Sequence, residues 1–227
     1  MTAKDMFSHR VSILTGHYGT GKTEVSVNLA LALAAEGEQV MLADLDIVNP
    51  YFRSRERRPL LEKAGVRVIS SSQACSEADV PALPAELLTI LENREIRGIL
   101  DIGGDPVGAR VLARFQPKIV QEDYQLIFVL NANRPEVRDA ESAAAYLRSI
   151  EAVTGLTCSG LVNNTHLCGE TTPAEIRKGA ALAQEVSRQT GIPILCHTAE
   201  RRFLESLSDL GEPVFPIAIN MKKPWER

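Results

Sequence analysis

The chain has no apolar run of the ~18 residues that a membrane-spanning helix requires, so no membrane insertion is expected. Its opening, MTAKDMFSHR, lacks the apolar core of a secretory leader. Cys75, Cys158, Cys168 and Cys196 are scattered and form no C-x-x-C pair, which fits a reduced, cytoplasmic protein with free thiols. There is no basic excess: the formal net charge is -4, which argues against general nucleic-acid binding. Proline- or serine-rich linkers, low-complexity tracts and repeats are absent, so residues 1–227 are expected to form one domain. At 44% hydrophobic and 24% charged, the composition supplies apolar material for one sizeable core.

Against these absences stands residues 16–24, GHYGTGKTE. The stretch fits G-x-x-x-x-G-K-S/T, with Gly16, Gly21, Lys22 and Thr23 in the fixed places. Before it, residues 10–15 (RVSILT) read as a buried strand. After it, residues 23–36 (TEVSVNLALALAAE) read as a helix stopped by Gly37. Strand, glycine loop and helix together form a phosphate cradle. The glycines let backbone N–H groups of the loop, from Gly19 and Thr20 through Glu24, converge on one anion. The helix N-terminus adds partial positive charge. Lys22 supplies a full charge for β- and γ-phosphates, and the Thr23 hydroxyl can ligate Mg²⁺.

Strand-like and helix-like segments then alternate nearly to the end. Strands are expected at 39–44, 66–69, 98–101, 125–130, 159–162 and 192–196. Helices are expected at 84–94, 135–153 (with Asn133 as N-cap), 173–190 and 200–210. Such alternation argues for an α/β fold with a doubly wound, mostly parallel sheet and helices on both faces. Ligands in these folds sit at the carboxyl ends of strands.

Two of those ends are acidic. The second strand runs into ADLDIVNP, where Asp44 and Asp46 face the same side of an extended segment. The strand at 98–101 ends ILDIGGD. Asp101 suits a water-mediated Mg²⁺ contact, and Gly103–Gly104 permits close backbone approach to a γ-phosphate. Any one Asp here could equally cap or solubilise a turn; the presence of Lys22–Thr23 favours the nucleotide site for Asp101, Asp46 and Asp44, and leaves Asp105 open.

The order GHYGTGKT, ADLDIVNP, ILDIGGDPVG, GLVNNTHL resembles the MinD/ParA-type branch of P-loop ATPases, which also includes nitrogenase iron protein and nickel-insertion ATPases. The D-x-D after the second strand is the feature that points to this branch. The resemblance implies a Mg²⁺-dependent ATP-binding protein that dimerises with ATP and is reset by hydrolysis to ADP, acting as a regulator or delivery factor for an unidentified protein partner. It implies that Asp46 orients the attacking water with Lys22 as the other catalytic group, that Asp44 and Asp101 stand around the Mg²⁺ shell, and that Asn164 contacts adenine.

Two departures matter. Many relatives carry K-G-G-x-G-K-T, whose first lysine reaches the partner subunit's phosphates; here that place is His17, followed by Tyr18. The cluster Arg53, Arg55, Arg57 and Arg58 is either plain surface charge or a substitute, since arginine suits phosphate bridging. In the iron protein a cluster-binding cysteine follows the corresponding Asp by three; here Gly108 follows Asp105, so an iron–sulfur cluster is not expected. His166 with Cys168, and Cys196 with His197, are the remaining soft-ligand pairs. The alternative on the same fold is an ATP-dependent small-molecule synthetase of the dethiobiotin or cobyrinate type. A GTP-driven metallochaperone is disfavoured by the missing N-K-x-D motif.

Overall fold

The computed structural model describes residues 1–46, 54–70 and 82–221. The strands are β1 (Val11–Thr15), β2 (Gln39–Leu45), β3 (Arg67–Ser70), β4 (Ile96–Ile102), β5 (Tyr124–Leu130), β6 (Cys158–Asn163), β7 (Ile194–Glu200) and β8 (Val214–Ile217). All eight join one parallel sheet in the order β3-β2-β4-β1-β5-β6-β7-β8. The first strand lies in the middle and the chain winds outward on both sides, which is the doubly wound arrangement expected. Parallel strands buried on both faces read as continuous apolar runs, and β1, β4 and β5 do so.

Two cores form because alternate side chains leave opposite faces. Val11, Ile13, Leu126 and Phe128 pack under α4 (Ala82–Glu92), α7 (Ala140–Thr154) and α8 (Pro173–Thr190). Leu14, Ile99, Ile127 and Val129 pack under α2 (Lys22–Ala35), with Phe7 and Phe215 closing that layer. Short helices complete the chain: α1 (Ala3–Met6), α3 (Arg58–Lys63), α5 (Pro106–Ala109) and α6 (Gln116–Ile119).

Two local expectations are corrected, and one strand is added. The helix expected from residue 135 starts at Ala140, capped by Asp139, whose carboxylate accepts from Ser142 N at 2.8 Å; residues 135–137 form only a 3₁₀ turn. The segment 200–210 is not a helix but two 3₁₀ turns. Arg177 takes the Ser206 carbonyl at 2.6 Å and the Asp209 carboxylate at 2.9 Å, and so pulls the segment onto α8. The last strand, β8, has no sequence counterpart above. It carries Pro216, which an edge strand tolerates.

Candidate phosphate-binding site

Three central strands set the site. In the β2–β4 ladder Asp44 pairs with Asp101, and in the β4–β1 ladder Asp101 pairs with Leu14, one residue before β1 ends at Thr15 and the loop begins. Register alone therefore places both acidic strand ends beside the glycine loop. Asp44, Asp46 and Asp101 are all buried, as is Lys22.

The loop needs its glycines for two reasons. Gly16 and Gly21 have φ of 142° and 85°, a region side chains rarely adopt. A Cβ on Gly16 would also lie 2.4 Å from the Val129 carbonyl, and one on Gly21 would lie 2.2 Å from Asn164 Nδ2. Lys22 opens α2, with its Nζ 3.5 Å from the His17 carbonyl. Burial pushes the Lys22 pKa down, while Asp101, Asp46 and Asp105 push it back up.

Asp101 carries the strongest signal. Both of its carboxylate oxygens are buried and neither has a partner at full hydrogen-bond geometry, the Thr23 hydroxyl being near enough only to lower its pKa. Burial, followed by the Asp44 carboxylate, raises its pKa to about 7, and Lys22 and the Thr23 hydroxyl pull it back. A buried, unsatisfied carboxylate is costly. A divalent cation and its waters would satisfy it. Among the described residues no group of three or more His, Cys, Asp or Glu side chains gathers around one point. Mg²⁺ requires no such cage, because it is usually held by one or two carboxylates together with phosphates and water. Thr23, Asp101 and Asp44 therefore fit that ion.

Other expected residues lie where the loop can use them, in different ways. The Asn164 amide donates to the Thr20 carbonyl at 2.8 Å and accepts from the Thr198 hydroxyl at 2.5 Å, so it braces the loop. Glu24 turns its carboxylate away to the backbone amides of Asn220 and Met221, at 2.8 and 2.9 Å. Asp105 accepts from Gly108 N at 2.8 Å, capping α5. Gly104 lies against the loop itself: a Cβ there would sit 2.7 Å from Lys22 Nζ and 2.8 Å from Tyr18 N.

Arg53 lies outside the described residues. Arg58 pairs with Glu62 at 3.2 Å. The soft-ligand pairs do not converge. Cys168 Sγ is 3.8 Å from His166 Nδ1, Cys196 is buried in the α2-side core, and His197 bonds Asn163 and Glu212 at 3.1 Å each.

Sequence reasoning passed over two contacts on the loop and one on Gly104. Arg134 Nε donates to the Gly19 carbonyl at 2.7 Å. His166 stands over Gly21, with Nε2 3.1 Å from where a Cβ would be. Tyr146, on α7, donates its hydroxyl to the Gly104 carbonyl. Arg134 lies just past the end of β5, a place the strand-end rule covers; the other two left no motif.

A family model described as ParA, NUBPL iron-transfer P-loop NTPase, matches residues 6–55. The chain is 24% identical to the septum site-determining protein MinD of Helicobacter pylori, over 96% of this chain and 87% of that one. It is 36% identical to the cytosolic Fe-S cluster assembly factor cfd1 of Emericella nidulans, over 42% of this chain but only 26% of the relative. With the iron-sulfur cluster carrier protein of Escherichia coli K12 it shares 50% over 40 residues, 11% of that chain. Among solved structures, the FtsY cell division protein of Thermotoga maritima superposes with a TM-score of 0.56 at 23% identity, over 81% of this chain and 59% of that one. The signal recognition particle 54 kDa protein of Aeropyrum pernix, in complex with GDP, gives 0.54 at 23%, over 82% and 40%. The two structures speak for the fold; the sequence matches bear out the MinD/ParA resemblance. The names of two relatives leave the expectation of no iron–sulfur cluster without support.

His166 generates a pH prediction. Cys168 N donates to its Nδ1 at 3.3 Å, and burial, with Arg134 nearby, lowers its pKa to about 4. Between pH 6.5 and 4 the unfolded chain then binds a proton that the folded chain refuses, so stability falls as pH drops through that window. Urea unfolding of wild type and His166→Gln at pH 7.5 and 5.0 should show wild type losing about 2 kcal/mol more than the variant. Equal losses would contradict the assignment.

Proposed function

We propose that the chain is a Mg²⁺-dependent ATPase of the MinD/ParA type, whose ATP and ADP states are read by a protein partner. The observation that carries this reading is the buried, unpartnered Asp101 carboxylate beside Lys22, at the end of a glycine loop. The similarity to a MinD protein over 96% of the chain favours a switch over the synthetase alternative.

The residues divide the work. The backbone amides of the loop and the α2 N-terminus hold the β-phosphate. Lys22 meets the β- and γ-phosphates. Thr23 would supply a hydroxyl to Mg²⁺, with Asp101 and Asp44 accepting from its waters, and the ion when bound would supply charge neutralisation for the transferred phosphoryl group. Asp46 would orient and polarise the attacking water; the position of its Oδ1, 3.5 Å from where a Cβ of Gly103 would be, supports this role. Asn164, Arg134 and His166 keep the loop's outer face fixed. Adenine preference follows from the resemblance and the missing N-K-x-D motif.

Dimerisation with ATP belongs to the same proposal, and His17 shapes it. Its ring stacks edge-on against Tyr146 of the same chain, with centroids 5.0 Å apart, and Nδ1 is 3.7 Å from Glu136. The place of the trans-acting lysine is thus turned inward. Delivery of an iron–sulfur cluster is the cargo suggested by the relatives' names. Among the described cysteines, Cys158 and Cys196 are buried with thiol pKa values pushed up, that of Cys158 to about 12, so neither offers a ready thiolate.

Lys22→Ala should weaken ATP binding at least tenfold, since a charge-assisted contact contributes ~1.5–3 kcal/mol. Unchanged affinity by calorimetry would remove the loop from the nucleotide site. Asp46→Ala should keep ATP binding and lose ~10²–10⁴-fold in hydrolysis rate. Phosphate release at the wild-type rate would transfer the catalytic role to another carboxylate.

A further inference from the structure

Gly104 lies next to Lys22 and the first residues of the glycine loop. Its backbone packs against Lys22 Nζ, Tyr18 N and the Gly16 carbonyl; a Cβ there would be 2.7, 2.8 and 3.1 Å from these atoms. Lys22 is the group that meets a γ-phosphate in a loop of this kind, and the amide of Tyr18 borders the same space. A β-phosphate, seated further along among the amides of residues 19–23, is not in competition with Gly104.

One side chain holds Gly104 there. The Tyr146 hydroxyl donates to the Gly104 carbonyl. The ring is itself fixed, edge-on to His17 at 5.0 Å and tilted against Phe128 at 6.3 Å between centroids. Gly103 and Gly108 approach backbone to backbone, a Cβ on either coming within 3.0 Å of the other's Cα, so this segment tolerates no side chain at either place.

We infer that Tyr146 discriminates triphosphate from diphosphate, its hydroxyl holding Gly104 in the space of the γ-phosphate so that a triphosphate binds only by breaking that bond. The inference rests on the nucleotide-binding reading above. It makes Tyr146 a positioning residue, acting through Gly104. It also makes α7 the element that registers arrival of the γ-phosphate, because the bond lost belongs to that helix.

The test is calorimetric titration of wild type and Tyr146→Phe with Mg²⁺-ADP and with a Mg²⁺-ATP analogue bridged by methylene between the β- and γ-phosphates. Phenylalanine keeps the ring and removes only the hydroxyl. A single hydrogen bond favouring the closed arrangement makes the apparent triphosphate affinity lower by its share of the equilibrium. The variant should bind the ATP analogue about fivefold more tightly and ADP unchanged. A ratio of the two affinities equal to that of wild type, whether both move or neither does, overturns the inference and leaves the nucleotide site standing. Wild type binding neither nucleotide overturns both.

Discussion

A lysine ammonium taken out of water is destabilising by several kcal/mol unless countercharge is brought to it. Lys22 is so buried, and much of the site is arranged around that fact. The countercharges are Asp101, Asp46 and Asp105, all at or just beyond strand ends. Their position is a consequence of the sheet. Placing β4 between β2 and β1 sets Asp101 beside Asp44 on one side and next to the start of the glycine loop on the other. Burial first, and then the neighbouring Asp44 carboxylate, raise the Asp101 pKa to about 7. A site left acidic and unsatisfied is one prepared for a cation.

The loop is fixed from both of its sides. Toward the sheet's β5–β6 half, Asn164, His166 and Arg134 hold Gly19, Thr20 and Gly21 by one carbonyl bond, one amide brace and one close contact. Toward β4, Gly104 presses on Lys22 and is tied to α7 through Tyr146. The first set comes from the segments just after β5 and β6. The second is a glycine-rich segment held by a single hydroxyl. If Tyr146 acts as inferred, that second wall is the one a γ-phosphate would displace.

The sequence made the sheet legible because parallel strands buried on both faces are continuous apolar runs. Six of the eight strands coincide closely with such runs, and GHYGTGKT fixed the loop. Acidic strand ends were found by looking where α/β folds bind ligands. What was missed has a common physical cause: it depends on contacts between distant segments. Tyr146 lies 42 residues from Gly104, and nothing local marks it. The bond from Asn164 to Thr20 spans 144 residues and is invisible to pattern. The segment 200–210 has helical composition, yet Arg177 captures its carbonyl from outside.

The central claim is that this loop and its acidic wall bind Mg²⁺-nucleotide and that the γ-phosphate moves one wall only. Amide hydrogen exchange, followed by mass spectrometry with Mg²⁺-ADP and with a non-hydrolysable Mg²⁺-ATP analogue, reads both halves at once. The account predicts slower exchange across residues 16–24 with either nucleotide, and a difference between the two nucleotides at residues 102–105. Exchange at residues 16–24 that neither nucleotide alters would contradict it.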